Sequence, residues 1–531
     1  MICFHNDKPS IMVRNLTAFC LIMALFACKS NHYLPAIANE PHRPLYHFTP
    51  PSKWMNDPNG LVYYQGEYHF FYQHYPEGTI WGPMHWGHAV SRDLMHWEHL
   101  PIALYPDSLG YIFSGSAVVD WNNTSGLGKD GKSPLIAMFT HHSMEGEKVG
   151  RSDFQYQSIA YSNDKGRTWT KYKGNPVIPN TEKIRDFRDP KVSWDQERKQ
   201  WLLVFAAKDQ TKFWSSPDLI HWKFLSNFGQ TVGGHGGVWE CPDFFQITVE
   251  GTQEKKWVLL QSINPGGPNG GSATQYFIGN FDGKQFTLDP EFAQSVKNGK
   301  GVWLDWGRDN YAGVTWSDIP ASDGRRIFIG WMSNWDYAAV VPTTNWRSAN
   351  TIPRELTLQK TASGLRLFSQ PIRETAALRG KKQAITNQKV AGNFDLTNAA
   401  KYSPSSMEML IDAELPANTG ADFAVVLSNA RGENYRIGYA NQQFYSDRTK
   451  AGNHDFSNNF GAKVDTAPGT VTGNHLKMHL FFDRASCEMF ANDGENVMTT
   501  IFFPTEDFTQ VKLVAKNGTV LVKSLDIYPL K

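Results

Sequence analysis

The sequence predicts an all-β protein, a five-bladed β-propeller followed by a C-terminal β-sandwich. Three observations carry this. All 18 Trp fall between Trp54 and Trp346, so the last third of the chain has a different composition. Within the Trp-rich part a turn signature recurs: Ser91-Arg92-Asp93 ending in Trp97, Ser162-Asn163-Asp164 ending in Trp169, and Ser216-Pro217-Asp218 ending in Trp222. A degenerate relative is Asn280-Phe281-Asp282-Gly283 with Phe286. Strand-and-turn repeats of roughly 50 to 70 residues point to propeller blades, and about 300 residues make five. From about Arg373 the apolar residues alternate strictly, as in Met407, Met409, Ile411, Ala413, Leu415 and again in Leu476, Met478, Leu480, Phe482. That period of two belongs to half-buried antiparallel strands and predicts a sandwich.

The elements follow in order. Residues 1–27 read as a secretory signal: the apolar run Leu16 to Ala27 follows Arg14, is too short to span a bilayer, and stops at Cys28. Leu25-Phe26-Ala27-Cys28 resembles a bacterial lipobox, which makes Cys28 the expected lipidated first residue of the mature chain. Lys29-Ser30-Asn31-His32 is not acidic and favours an anchor facing the periplasm. Residues 28–43 are expected to be a linker, 44–355 the propeller, 356–372 a second linker bracketed by Pro353 and Pro371, and 373–531 the sandwich. Cys241 and Cys487 are the other cysteines of the mature chain, so no disulfide framework is expected, and Cys487 lies in an alternating run as a core thiol.

Charge narrows the function classes. The chain carries 52 Lys+Arg against 51 Asp+Glu. Removing the signal takes away two bases and one acid and leaves the signs equal. There is no basic surplus to hold nucleic acid, and no phosphate-binding glycine pattern. His85, His88 and the pair His141-His142 sit in no ligand spacing that metal catalysis needs, so no metal and no other cofactor is expected. The segment Ser162 to Trp169 matches the Asp-box of sialidases, a hairpin turn remote from chemistry that recurs across propellers.

Three segments set an acid beside an aromatic and a proline: Trp54-Met55-Asn56-Asp57-Pro58-Asn59-Gly60, Phe187-Arg188-Asp189-Pro190 and Trp239-Glu240-Cys241-Pro242-Asp243. Proline pushes the residue before it toward extended backbone, so each acid is expected at a strand start with fixed orientation. Three fixed carboxylates with stacking surfaces suit a sugar, and glycoside hydrolysis commonly uses a pair of carboxyl groups around an oxocarbenium-like transition state.

In these three blocks and their order the chain resembles glycoside hydrolase family 32, the levanase, inulinase and invertase group, from about Pro41 to the C-terminus. Gln73, Trp81 within Trp81-Gly82-Pro83-Met84-His85-Trp86-Gly87-His88, Phe113-Ser114-Gly115-Ser116, and Gly330-Trp331-Met332-Ser333-Asn334-Trp335 extend the match. The resemblance implies that Asp57 attacks the anomeric C2 of a fructofuranosyl unit with retention, and that Glu240 is the acid and then the base. Trp239, Cys241 and Pro242 are expected to desolvate Glu240. Asp189 becomes the transition-state stabiliser, with Arg188 supplying compensating charge. Asn56, Gln73 and Ser114 become ligands of fructose hydroxyls, and Trp81, Phe113 and Trp335 the pocket walls. The implied activity is release of terminal β-D-fructofuranosyl units from levan, inulin-type fructans, fructo-oligosaccharides or sucrose. An endo-levanase, a fructosyltransferase and a non-catalytic fructan-binding lipoprotein are the alternatives; the last is expected to lack one of the three acids. The partner is a fructose-containing saccharide, and membrane contact is confined to the lipid anchor.

Overall fold

The computed structural model describes residue 1 and residues 40–398, 403–417, 420–469 and 471–531. Residues 2–39, which hold the rest of the expected signal, Cys28 and most of the first linker, lie outside the described residues.

The Trp-rich part forms five antiparallel sheets whose first strands are Lys53–Tyr64, Tyr111–Val119, Phe187–Asp195, Val238–Thr248 and Tyr311–Thr315. These first strands touch one another in a closed ring, so they line the axis of a five-bladed propeller. In blades one to four the next three strands follow in chain order outward. Trp346–Arg347 pairs parallel to Lys53–Trp54 and ties the end of the ring to its beginning.

Each recurring turn signature joins the third strand of a blade to its fourth. Asp93 Oδ1 accepts from the amides of Met95 and His96, Asp218 Oδ1 from Ile220 and His221, and Asp282 Oδ1 from Lys284 and Gln285. Asp164 takes the Thr168 amide and hydroxyl in the same way. A short acceptor that satisfies consecutive amides holds such a turn without other help, which is why the motif survives in four blades.

The segment 356–372 is not a linker. Arg354–Thr361 and Gly364–Pro371 form a hairpin on Arg326–Met332 and complete the fifth blade. Leu356, Leu358, Leu365 and Leu367 fill its core where other blades use Trp, so the loss of Trp precedes the true boundary. Pro353 and Pro371 bracket this hairpin.

The sandwich is one hydrogen-bonded ladder of ten strands folded on itself. Gln510–Pro529 runs through it, pairing with Asp422–Ser428 at one end and Met407–Glu414 at the other. Met407, Met409, Ile411, Ala413, Leu476, Met478, Leu480, Phe482 and the free thiol of Cys487 all lie in its core.

Buried ion pairs join sandwich to propeller. Arg354 of blade five reaches Glu488 and Asp305, and His47 is held by Asp483 at 2.8 Å and Glu488 at 2.8 Å. Arg448 of the sandwich donates to Asp309 at 2.7 Å and to Tyr337 at 2.8 Å. Such pairs are costly to desolvate, so each one is tied by further hydrogen bonds; Thr499 donates its amide and hydroxyl to Asp305.

One local device is repeated around the axis. Every first strand carries a β-bulge near its start, where the register shifts at Met55/Pro58, Ile112/Gly115, Val204/Ala206 on the neighbour of the third, Glu240/Asp243 and Tyr311/Val314. A bulge sets an extra residue against one partner and re-aims side chains out of the ladder. The bulges contain or adjoin Asn56-Asp57, Phe113-Ser114, Asp189, Glu240-Cys241 and Tyr311.

Candidate active site

The acids sit at strand starts, but two of the three residues that precede proline there are not in extended backbone. Asp189, before Pro190, has φ +67, and Cys241, before Pro242, has φ +46. Both are left-handed, because the bulge demands a sharp reversal that extended backbone cannot supply. Left-handed backbone costs roughly 1–2 kcal/mol per non-glycine residue, and such strain concentrates at working sites.

Four of the five bulges supply residues to one cavity of about 320 Å³, and the fifth sets Tyr311 against Glu240. All ten site residues expected from sequence line it: Asn56, Asp57, Gln73, Trp81, Phe113, Ser114, Arg188, Asp189, Glu240 and Trp335. Asp57 Oδ2 accepts from Ser114 Oγ at 2.7 Å, and its Oδ1 accepts from Asn56 Nδ2 at 3.0 Å. Asn56 cannot turn its amide, since its Oδ1 takes Trp54 Nε1–H at 2.7 Å. Gln73 Nε2 is anchored on the Ile112 carbonyl at 3.0 Å. Burial, with Glu240 adding repulsion, pushes the Asp57 carboxyl up to about 6 despite these donors.

Asp189 Oδ2 accepts the Cys241 amide at 2.9 Å, and the Cys241 thiol lies 3.5 Å from Asp57 and 3.6 Å from Asp189. Burial raises the Asp189 carboxyl, the Arg188 charge opposes it, and Glu240 and Asp57 add to the rise. Burial and the surrounding carboxylates push the Cys241 thiol far above its ordinary value, so it is a neutral wedge between two acids.

Glu240 is gripped at both oxygens. Arg188 donates Nη2 at 2.9 Å and Nε at 3.2 Å to Oε1, while Tyr311 donates its hydroxyl to Oε2. Trp239 does not desolvate Glu240 in the way its sequence position implies. Its indole donates to the Gly234 carbonyl and stacks on His235 in the core of blade four, outside the cavity. The side chain following an inward-pointing residue on a strand points the other way.

The walls are aromatic. Trp335 stacks on Trp54 at 5.9 Å, Phe113 stacks on His142 at 4.2 Å, and Trp81 meets Phe113 edge-on at 5.9 Å. Trp81 is partly exposed at the mouth.

Several residues at the cavity or bonded to its acids escape sequence reasoning. Tyr311 stands in no acid–proline block, and only the fivefold bulge reveals it. His142, weighed in sequence only as a metal ligand, lines the wall with Glu147, Phe154, Gln155, Asp186 and Asn264. Asp186 had one signal, its place two residues before Arg188, and it accepts Arg188 Nη1 at 2.7 Å. Of the other histidines weighed for metal, His85 bonds the Pro83 carbonyl, His88 faces His69, and His141 bonds Ser158.

Comparison with known proteins agrees with this geometry. Residues 47–371 match the glycosyl hydrolases family 32 N-terminal domain and residues 374–529 the family 32 C-terminal domain. A levanase of Bacillus subtilis is 46% identical over 99% of this chain and 75% of its own length. The crystal structure of exo-inulinase from Aspergillus awamori superposes with a TM-score of 0.83 at 36% identity, covering 93% of this chain and 99% of that one. A fructofuranosidase from Schwanniomyces occidentalis complexed with fructose gives 0.81 at 31% identity, over 92% and 98% of the two chains. This protein belongs to glycosyl hydrolase family 32 and is a glycosidase of its β-fructofuranosidase group.

Proposed function

We propose that the protein is a retaining exo-β-fructosidase that removes terminal β-D-fructofuranosyl units from levan, inulin-type fructans, fructo-oligosaccharides or sucrose. The observation that carries this reading is a small cavity with three carboxylates gathered at a buried floor, Asp189 within it and Asp57 and Glu240 partly open to the cavity. Asn56, Gln73, Ser114 and Asp189 are each at most 5% exposed, so the cavity is closed at depth and admits a chain end rather than a chain middle.

With the terminal fructose in place, Asp57 attacks C2 while protonated Glu240 gives its proton to the departing glycosidic oxygen. The C2–O bond to the leaving group breaks and a C2–Asp57 ester forms. Water then enters, Glu240 takes its proton, the water oxygen bonds to C2 and the ester opens, releasing fructose and restoring both carboxyls. Two inversions at C2 give net retention. Asp189 accepts ring hydroxyls next to the developing positive charge, and hydrogen bonds that tighten there lower the barrier. The Arg188 fork fixes Glu240 in one rotamer and leaves the acid–base step to an oriented group.

The test is a product time course on levan, inulin and sucrose with wild type, Asp57→Ala and Glu240→Ala, with the anomer of the first product read by NMR. Fructose as the sole early product, born as the β anomer and lost in both variants, is the expected result. Early mixed oligosaccharides would replace the reading with an endo-levanase, growing transfer products with a transferase, and binding without turnover with a fructan-binding lipoprotein.

The lipobox-like Leu25 to Cys28 supports a mature chain anchored by acylated Cys28 in a bacterial envelope, facing the periplasm. Radiolabelled palmitate incorporation that persists after Cys28→Ser would refute the anchor.

A further inference from the structure

The cavity has a depth order. Side-chain exposure rises from 5% at Asp189 through 19% at Glu240 to 26% at Asp186 and 30% at Glu147. A fructosyl unit on the floor therefore sends its leaving group past Glu240 toward Asp186 and Glu147.

That outer wall is preformed. Ser143 caps the short helix Met144–Lys148, which brings Glu147 to the mouth. A hydrogen-bond chain ties it to the acid–base residue: Arg188 bridges Glu240 and Gln155 Oε1, Gln155 Nε2 donates to His142 Nδ1 at 3.0 Å, and His142 Nε2 donates to Glu147 Oε2 at 3.0 Å. The Phe187 amide holds Gln155 Oε1 at 2.8 Å, so the Gln155 amide has one orientation and His142 one tautomer. Burial lowers the His142 ring below its ordinary value and keeps it neutral. Arg185 takes the other Glu147 oxygen at 2.7 Å and lies over the Phe154 ring. Each Glu147 oxygen keeps a second lone pair, and Asp186 Oδ2 has no hydrogen-bond partner among the described residues. Nothing in the two-step chemistry uses these acceptors.

We propose that Glu147, held by His142 and Arg185, and Asp186 beside it receive the sugar ring of the leaving group by accepting hydrogen bonds from its hydroxyls. This rests on the reading of the floor as a fructosyl site. It makes Glu147 a specificity-determining residue that separates sugar from non-sugar leaving groups.

The experiment compares kcat/KM of wild type, Glu147→Ala and Glu147→Gln on sucrose, a fructo-oligosaccharide and methyl β-D-fructofuranoside. Methanol, like a sugar hydroxyl, needs the proton from Glu240 but offers no hydroxyls to the wall, so the methyl glycoside isolates ring recognition from acid catalysis. Loss of a hydrogen bond to a charged acceptor predicts a fall of roughly ten- to a hundredfold for Glu147→Ala on sucrose and the oligosaccharide, at least tenfold larger than the fall on the methyl glycoside. Glu147→Gln, which keeps one acceptor oxygen, should recover part of it. Equal losses on all three substrates would overturn the proposal in favour of a purely structural wall, and so would no loss on any. A wild type that cleaves the methyl glycoside but shows no preference for sugar leaving groups over it also refutes the wall. A wild type that cleaves none of the three refutes the fructosyl floor itself.

Discussion

Replacing the Asp57 carboxylate should make the protein more stable. Asp57 is carried from 3.8 to about 6 by burial and by Glu240. A rise of that size withholds about 3 kcal/mol from the folded state once the group is ionised. The side chain is partly open to the pocket, so solvent screening trims the figure to about 2 kcal/mol. In Asp57→Asn the new Oδ1 keeps Ser114, but Nδ2 faces Asn56 Nδ2, which Trp54 prevents from turning. One lost hydrogen bond costs about 1 kcal/mol. The net gain at pH 7 is about 1 kcal/mol. Because the folded pKa is raised, the stabilising contribution of neutral Asp57 is complete below 3.8 and disappears as pH rises through about 6. The advantage of Asn is therefore largest above pH 6 and gone by pH 4. For a folded unit of this size the unfolding entropy is about 1 kcal/mol/K, which makes the rise in Tm about 1 °C at pH 7. Calorimetric melts of both proteins from pH 4 to pH 8 measure it, while activity falls on the order of a thousandfold or more. A variant that melts below wild type at pH 7, or an offset that does not change with pH, refutes the reasoning.

Tyr311→Phe leaves Glu240 Oε2 without its donor and should lower kcat about tenfold with KM little changed in steady-state assays; an unchanged kcat would assign Tyr311 to packing alone. Arg188→Lys keeps the charge but not the fork that spans Glu240 and Asp186, so kcat/KM should fall about a hundredfold in steady-state assays with the fold intact by circular dichroism. His47, raised to about 9 by Asp483 and Glu488 against burial, stabilises the sandwich junction fully below its unfolded pKa near 6.5 and loses that contribution as pH rises through about 9. His47→Ala should flatten the alkaline loss of Tm and cost about 3–5 kcal/mol near neutrality, measured by chemical denaturation.

What the sequence determined by itself was local or periodic. Four of the five blades announced themselves through an aspartate that satisfies the amides of its own turn, and the sandwich through alternation that a strand imposes on neighbours two apart. The cavity's three acids were legible because aromatic, acid and proline stand together in one short block, and the other expected lining residues because their motifs repeat a known family in order. Blade five's outer hairpin was not legible, since leucine does there what tryptophan does elsewhere and composition no longer separates blade from sandwich. Only the tertiary structure decided the rest. Tyr311 reaches Glu240 from 71 residues away, and Glu147 joins it only through Arg188, Gln155 and His142. Such contacts exist because the ring closes and five bulges turn inward on one axis. Turn chemistry and strand periodicity act over a few residues, whereas which side chains converge on a carboxylate is set by the register and twist of whole sheets.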